Sequence, residues 1–288
     1  MKISDILHSG KVTVSCELFP PKANSPLKLD EILSQTAQTA PDFISVTYGA
    51  GGSTSKSTLS IADQIQNTYH VPALAHMTCV SSTKTQVETM VADLQKAGIS
   101  NILALRGDLP EDGQISSDYR YASDLVSHIR SLPGGNSLSI GAACYPEGHV
   151  ECARRELDIE FLKAKVDCGV DFLTTQMFFD NNLFFNFLYK IREAGSTVPV
   201  VPGIMPITNA NQVARAIQLS GSFMPQRFKS LVDKFGDNPK AMEQAGIAYA
   251  TDQIIDLYAN GIANVHVYSM NKPAVARKIQ ANLSEIIR

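Results

Sequence analysis

The stretch from Asn101 to Pro110 joins a short apolar run to a pair of opposite charges. Its first half has the composition of a strand buried on both faces, and Arg106, Gly107 and Asp108 follow at once. Gly107 allows the backbone to approach a ligand closely, while Arg106 and Asp108 supply a fixed cation and a carboxylate near each other. The pattern predicts a ligand-binding strand end, and the alternative is a surface ion pair beside a turn.

A second candidate for chemistry is Glu17, a lone carboxylate in an apolar run that begins near Val12 and meets Pro20 and Pro21. Removal of a carboxylate from water favours its neutral form and raises its pKa. A carboxyl group that keeps its proton near neutrality is suited to general acid catalysis. Glu17 is therefore a candidate proton donor.

Other polar residues interrupt apolar runs in the same way, and each has a structural alternative. His76 could be a hydrogen-bonded core histidine, and Gln176 could satisfy backbone groups. Asp158 and Lys165 are seven residues apart in a predicted helix and therefore share a face, where they could hold sugar hydroxyls and phosphate. A solvated ion pair is the alternative for those two residues.

These residues need elements to position them, and the chain supplies a βα rhythm with a period of roughly thirty residues. Helices are predicted from Lys84 to Ala97, Asp118 to Ser131 and Asn181 to Ala194, each followed by a glycine or proline stop. An extra helix is predicted near Pro225 to Phe235, before a long helix from Pro239 to Asn260. Predicted strands begin near Val12, Phe43, Ala73, Asn101, Leu138, Phe172, Pro199 and Asn264.

Eight strands with intervening helices favour an α/β fold, a single (β/α)8 TIM barrel with an extra helix before the last strand. Residues 1–288 are expected to form one catalytic domain, since about 250 residues are typical of such a barrel. Functional residues of these barrels lie at the carboxyl ends of the strands, so the polar residues at predicted strand ends should converge.

Composition excludes several classes of protein. The chain has 25 Lys and Arg against 28 Asp and Glu, a net charge of -3 and no basic block, so nucleic acid is not expected as a partner. No signal core and no bilayer-spanning apolar stretch is found, which predicts a cytoplasmic protein without a membrane partner. The 5 cysteines include no Cys-x-x-Cys pair and indicate free thiols. Cys144, His149 and Cys152 match no common zinc spacing, so no metal site is predicted.

Several motifs, taken together and in this order, resemble the methylenetetrahydrofolate reductases, and the likeness covers nearly the whole chain. That resemblance implies a barrel that binds FAD and passes a hydride from NADH or NADPH through the flavin to 5,10-methylenetetrahydrofolate. The product is 5-methyltetrahydrofolate, used in one-carbon metabolism and methionine biosynthesis, and a homo-oligomer is expected. The motifs are Glu17-Leu18-Phe19-Pro20-Pro21-Lys22, Ser45-Val46-Thr47-Tyr48-Gly49-Ala50, Ala75-His76-Met77-Thr78-Cys79, Leu103-Ala104-Leu105-Arg106-Gly107-Asp108 and Tyr145-Pro146-Glu147-Gly148-His149.

The resemblance also implies roles for individual residues. Glu17 would be the acid that opens the folate ring to an iminium, and Asp108 would help to bind folate and stabilise the cation. Turnover would be ping-pong because both substrates use one flavin face. FAD-binding positions would be Thr47, Tyr48, Ala50, His76, Arg106, Gly107, Asp108, Ala122, Tyr145, His149, Asp158 and Lys165; substrate-binding positions would be Asp108, Gln176, Phe184, Gln212 and Lys272.

Three positions depart from the pattern of well-studied bacterial members of the family. Ala216 stands where an aromatic residue stacks on the substrates, Phe184 where a tyrosine approaches the nicotinamide, and Lys272 where an arginine holds the folate tail. These departures leave the electron donor open. Two other functions remain: a non-redox barrel enzyme that acts on a pterin or an oxo-acid, and a flavoprotein subunit that depends on a partner for its electrons.

Overall fold

A computed structural model describes residues 1–20, 28–48, 54–80, 82–108 and 118–287 of the chain. The described residues form the parallel strands β1 (Thr13–Leu18), β2 (Ile44–Val46), β3 (Ala73–Thr78), β4 (Asn101–Leu105), β5 (Ser139–Cys144), β6 (Phe172–Thr175), β7 (Val200–Val201), β8 (Gly203–Ile204) and β9 (Asn264–Val267). Each of the other strands begins within one residue of its predicted start, and the predicted seventh strand is divided into β7 and β8. The predicted strand positions are therefore confirmed.

The sheet forms a nearly closed barrel in the order β7-β6-β5-β4-β3-β2-β1-β9-β8. Its two ends are consecutive in the chain, because only Pro202 separates β7 from β8. Pro202 has no backbone N–H to donate, which interrupts the strand, yet its carbonyl still accepts a hydrogen bond from the His266 N–H at 2.9 Å. The split seventh strand therefore closes the predicted (β/α)8 barrel.

Helices surround this barrel and connect successive strands. The described residues form α1 (Ile3–Leu7), α2 (Leu29–Ala37), α3 (Thr54–Asp63), α4 (Lys84–Lys96), α5 (Ala122–Ser131), α6 (Arg155–Asp167), α7 (Asn181–Glu193), α8 (Asn211–Ser220), α9 (Gln226–Phe235), α10 (Pro239–Ala259) and α11 (Pro273–Asn282), with a π-turn at Gln64–Thr68 and a 3-10 turn at Gly135–Ser137. None of the described helices combines the length and apolar character that a bilayer span requires.

The extra helix is confirmed as α9, directly before the long helix α10. The predicted start of the fifth helix at Asp118 is wrong, because α5 begins at Ala122. The Asp124 carboxylate accepts hydrogen bonds from the backbone N–H groups of Arg120 and Tyr121, both at 2.9 Å, and so fixes a later helix start. Helix α8 was not predicted.

Side chains alternate between the inside of the barrel and the surrounding helices. On β1, Val14, Cys16 and Leu18 join the large core between strands and helices, so Ser15 and Glu17 point into the barrel. Helix α1 closes the amino-terminal end of the interior, where the Ile3 and Ser4 N–H groups donate hydrogen bonds to the buried Asn101 Oδ1 and Ser139 Oγ at 2.8 and 3.1 Å. The apolar core at this end consists of Ile3, Leu7, Phe43, Leu74, Leu103, Phe172 and Val201. Glu17 lies further along the interior, toward the carboxyl ends of the strands.

Candidate active site

Glu17 lies inside the barrel near the carboxyl end of β1, where its residue is only 8% exposed. Its neighbour across the sheet on β2 is Ser45. Burial without a compensating cation raises the pKa of Glu17 from 4.5 to about 8. The carboxyl group therefore keeps its proton near neutral pH, the property required of a general acid.

His76 on β3 faces the same interior space. Its Nε2 atom lies 3.6 Å from the Glu17 Oε2 atom and has no hydrogen-bond partner among the described residues. Burial lowers the pKa of His76 to about 3, so the ring is neutral where Glu17 is protonated. The pair thus combines an uncharged acid with an uncharged imidazole, and a polar atom of that imidazole is left for a ligand.

A second histidine lies beneath this pair and is held by two serines. His266 Nδ1 is 2.7 Å from Ser15 Oγ, and its Nε2 is 3.1 Å from Ser45 Oγ. The ring also stacks on Phe43 with centroids 5.7 Å apart. Burial lowers the pKa of His266 to about 3, and the repulsion that a protonated His76 would exert acts in the same direction. His266 is therefore a fixed neutral group that connects the polar layer to the apolar end of the barrel.

Tyr268 follows β9 and reaches β6 across the mouth. Its hydroxyl donates a hydrogen bond to the Thr175 carbonyl oxygen at 2.6 Å. Burial raises its pKa well above the usual value, and the charges of Glu17, Cys144 and Tyr145 raise it further. A Cβ atom at Gly203 would overlap the Tyr268 ring, so the absence of a side chain there makes room for this tyrosine.

A second cluster follows β5 and contains five of the predicted cofactor-binding residues. Tyr145 and His149 pack edge to face with ring centroids 4.6 Å apart. The backbone N–H of His149 donates a hydrogen bond to Asp158 Oδ2 at 3.3 Å, and Lys165 Nζ donates one to the Ala143 carbonyl oxygen at 2.6 Å. Burial lowers the pKa of His149, and the charges of Arg106, Asp158 and Lys165 are near enough to influence it as well.

Arg106 extends from the end of β4 into this cluster and forms an ion pair that the sequence did not predict. Its Nη1 and Nη2 atoms donate to Glu151 Oε2 and Oε1 at 2.6 and 2.7 Å. Glu151 is the residue that sequence reasoning missed, because an exposed loop residue has neither periodicity nor burial to distinguish it.

Gly107 and Asp108 complete the strand end. Gly107 has φ +87° and its Cα lies so close to Thr78 that a Cβ would be 2.9 Å from the Thr78 Cβ, which explains the glycine. Asp108 follows β4 and is exposed. Burial raises the pKa of Tyr145 to about 12, and the charge of Asp108 is near enough to raise it further.

The remaining predicted positions lie around these clusters. Gln176 follows β6 and lines a small cavity together with Tyr145, and its Oε1 accepts a hydrogen bond from the Met177 N–H. Thr47 and Tyr48 are half-buried after β2, and Ala122 is the half-buried first residue of α5. Ala50 lies outside the described residues.

Among the described residues, three predicted substrate positions make no side-chain hydrogen bond or ring contact with Glu17 or Tyr145. Phe184 is fully buried and stacks on Phe178 at 5.3 Å, which places it in the packing between β6 and α7. Lys272 is exposed and donates a hydrogen bond to Thr208 Oγ1 at 2.8 Å, next to the segment that carries Gln212. In the described part of the chain, no group of three or more His, Cys, Asp or Glu residues is arranged to hold a metal ion.

The methylenetetrahydrofolate reductase family profile matches residues 2–284. The 5,10-methylenetetrahydrofolate reductases of Pectobacterium carotovorum and Escherichia coli are each 31% identical over 271 residues, which cover 94% of this chain and 89% and 90% of those proteins. Methylenetetrahydrofolate reductase (NADH) 1 of Arabidopsis thaliana is 34% identical over 99% of this chain. The chain spans only 50% of the length of that plant relative.

Solved structures with the same fold are more distant in sequence. An uncharacterized protein from Clostridium thermocellum that binds two copies of 5-methyl-5,6,7,8-tetrahydrofolic acid has a TM-score of 0.62 and 12% identity, with coverage of 98% of this chain and 99% of that one. Oxaloacetate acetylhydrolase has a TM-score of 0.55 at the same 12% identity, with coverage of 99% and 86%. At this level of identity the likeness shows the fold alone.

Proposed function

The chain belongs to the methylenetetrahydrofolate reductase family, and from this we propose that it reduces 5,10-methylenetetrahydrofolate to 5-methyltetrahydrofolate. The observation that carries the proposal is Glu17, a buried carboxyl group that holds its proton near neutral pH inside the barrel mouth. Reduction of the methylene bridge requires one proton and one hydride. Glu17 is suited to supply the proton, and the hydride must come from a redox cofactor.

In the proposed reaction the Glu17 proton is transferred to N10 of the folate, and the bond between N10 and the methylene carbon breaks. The electron pair of that bond stays on N10, which leaves an iminium cation between N5 and the methylene carbon. Hydride addition to this carbon gives the 5-methyl group. Glu17 becomes a buried carboxylate that favours its own reprotonation, because its pKa of about 8 lies above neutral pH.

Asp108 is proposed to stabilise the cation that forms in this step. Its carboxylate is exposed after β4, near enough to Tyr145 to influence its pKa, and remains accessible to a substrate. A negative charge near a developing iminium lowers the energy of the charged intermediate. Gln176, which lines the cavity next to Tyr145, is proposed to contact the folate or the nicotinamide in turn.

The described residues fit FAD as the redox cofactor, which would supply the hydride when bound. The fit rests on the unpartnered Nε2 atom of His76, which is buried in the mouth and free to bind a polar atom of the flavin ring. Arg106 and Lys165 would provide cations for the diphosphate, Tyr145 would provide an aromatic wall, and Asp158 would provide a carboxylate for sugar hydroxyls. NADH or NADPH is proposed as the electron donor.

Two measurements test this function. The purified protein should be yellow, and heat release followed by chromatography should identify FAD. Anaerobic addition of NADH or NADPH should then bleach the flavin, and 5,10-methylenetetrahydrofolate should restore its colour. A colourless protein that cannot be reconstituted with FAD would favour the non-redox barrel enzyme, while flavin that neither nicotinamide reduces would favour a subunit that depends on a partner for electrons.

A further inference from the structure

The guanidinium group of Arg106 is occupied by a carboxylate of the same chain. Two parallel hydrogen bonds join its Nη1 and Nη2 atoms to the two oxygens of Glu151, at 2.6 and 2.7 Å. This two-pronged arrangement is the one that arginine also forms with a phosphate group. A phosphate that binds this same edge of the guanidinium must therefore take the positions of the Glu151 oxygens.

Glu151 belongs to the β5–α6 loop that also carries the predicted cofactor-binding residues Tyr145 and His149. Its backbone N–H donates a hydrogen bond to His149 Nδ1 at 3.1 Å, and the Cys152 N–H donates one to the His149 carbonyl oxygen at 2.9 Å. The Glu151 backbone is thus linked to the ring that packs edge to face against Tyr145. A shift of this loop backbone would act directly on His149.

The exposure of the two partners determines which one can leave. The Glu151 side chain is 53% exposed and the Arg106 side chain 27%. A released Glu151 carboxylate can be hydrated with little movement, whereas Arg106 stays at the end of β4 and needs a new anion. The ion pair is therefore easily exchanged on the Glu151 side.

We propose that Glu151 is the internal competitor of the cofactor diphosphate, so that the cofactor binds by exchange of the Glu151 carboxylate for phosphate oxygens on Arg106. This inference rests on the proposed function, since it takes FAD as the ligand. The exchange makes Glu151 a determinant of cofactor affinity. A bound diphosphate can form these two hydrogen bonds with Arg106 only after the Glu151 carboxylate has moved away.

The exchange predicts that removal of the Glu151 charge strengthens cofactor binding. Glu151→Gln keeps the length of the side chain but binds Arg106 as a weaker, neutral acceptor and adds no negative charge beside the diphosphate. The FAD dissociation constant should fall by about threefold to tenfold at low salt. The difference from the parent should shrink at high salt, because mobile ions screen an exposed charge.

The test is a titration of apoprotein, prepared by release of the flavin from the holoenzyme, with FAD followed by quenching of flavin fluorescence. Glu160→Gln is the matched control, because it removes the same charge from an exposed position of α6 that makes no described contact with Arg106. Thermal unfolding without FAD confirms that each variant is folded. ADP added as a competitor reports the diphosphate half of the site separately.

Tighter binding of FAD and ADP by Glu151→Gln, with Glu160→Gln equal to the parent, is the expected result. Unchanged or weaker FAD binding by Glu151→Gln, while the parent binds normally, would overturn the exchange and indicate that the ion pair holds the loop for the cofactor. Failure of the parent itself to bind FAD would reject the proposed function instead. The two failures are therefore distinguished within one experiment.

Discussion

The Glu17 Oε2 atom lies 3.6 Å from His76 Nε2 inside the barrel mouth, and burial keeps both groups uncharged near neutral pH. For the carboxyl group, burial raises the pKa to about 8, and for the imidazole it lowers the pKa to about 3. An ion pair between them would require both groups to adopt the form that burial disfavours. The relationship instead gives a proton donor next to a ring nitrogen that is available to a ligand.

This pair predicts a specific pH dependence of stability. The pKa of Glu17 is about 8 in the folded protein and 4.5 when the side chain is exposed to water. Between these two pH values the native state therefore binds more protons than the unfolded state does. The contribution of Glu17 to the free energy of unfolding is therefore most favourable below pH 4.5 and falls as the pH rises toward 8. Glu17→Gln cannot ionise, and its stability advantage over the parent should grow from pH 5 to pH 8, on the order of a few kcal/mol.

Urea unfolding of parent and variant, both saturated with FAD, at pH 5, 6, 7 and 8 measures this difference. A difference that is the same at all four pH values would show that Glu17 does not titrate in this range.

Asp108 should affect the folate half-reaction more than the nicotinamide half-reaction. Asp108→Asn removes the charge and keeps the shape, so the iminium loses stabilisation while the reduced, anionic flavin loses a repulsive neighbour. We expect slow oxidation of reduced flavin by 5,10-methylenetetrahydrofolate, with flavin reduction preserved or faster. Separate anaerobic measurement of the two half-reactions checks this. Equal losses in both would assign Asp108 a structural role.

Ala216 should not accept the aromatic residue that the family pattern has at its position. It is 4% exposed and lies in a small core with Phe179, Phe228 and Met242. Ala216→Phe adds a ring to a space that is already filled, and the free energy of unfolding should fall by about 1–3 kcal/mol. Ala216→Ser, a much smaller increase in volume, serves as the control. A stable Ala216→Phe variant with a lower KM for the nicotinamide would show that this core can open toward the substrates.

The strands were predictable because buried parallel strands are continuous apolar runs, and the barrel followed from their number. Glu17 and His76 stood out for the same reason, since each interrupts such a run at an inward position. The start of α5 was not predictable from periodicity, because the Asp124 carboxylate determines it by accepting two backbone hydrogen bonds. The break at Pro202 and the helix α8 do have sequence signals, since a proline lacks the backbone N–H and the α8 sequence is amphipathic.

The contacts between distant loops were less accessible to sequence reasoning. Arg106 was identified as a cation for a ligand, but its partner Glu151 is 45 residues away in an exposed loop. Phe184 was assigned to the substrate side by the family resemblance alone, and in the structure it is buried and stacks on Phe178. In both cases the outcome depends on how two elements pack together, which neither element encodes alone.

The central claim is that Glu17 provides the proton for the folate step, and stopped-flow measurement of the two half-reactions of Glu17→Gln tests it most directly. The variant keeps the size and hydrogen bonding of the side chain, so FAD content and anaerobic flavin reduction by the nicotinamide should match the parent. Oxidation of the reduced flavin by 5,10-methylenetetrahydrofolate should slow by at least ~10²-fold, as expected for a lost general acid. Reoxidation by the folate at close to the parent rate would contradict this account and assign the proton to another group.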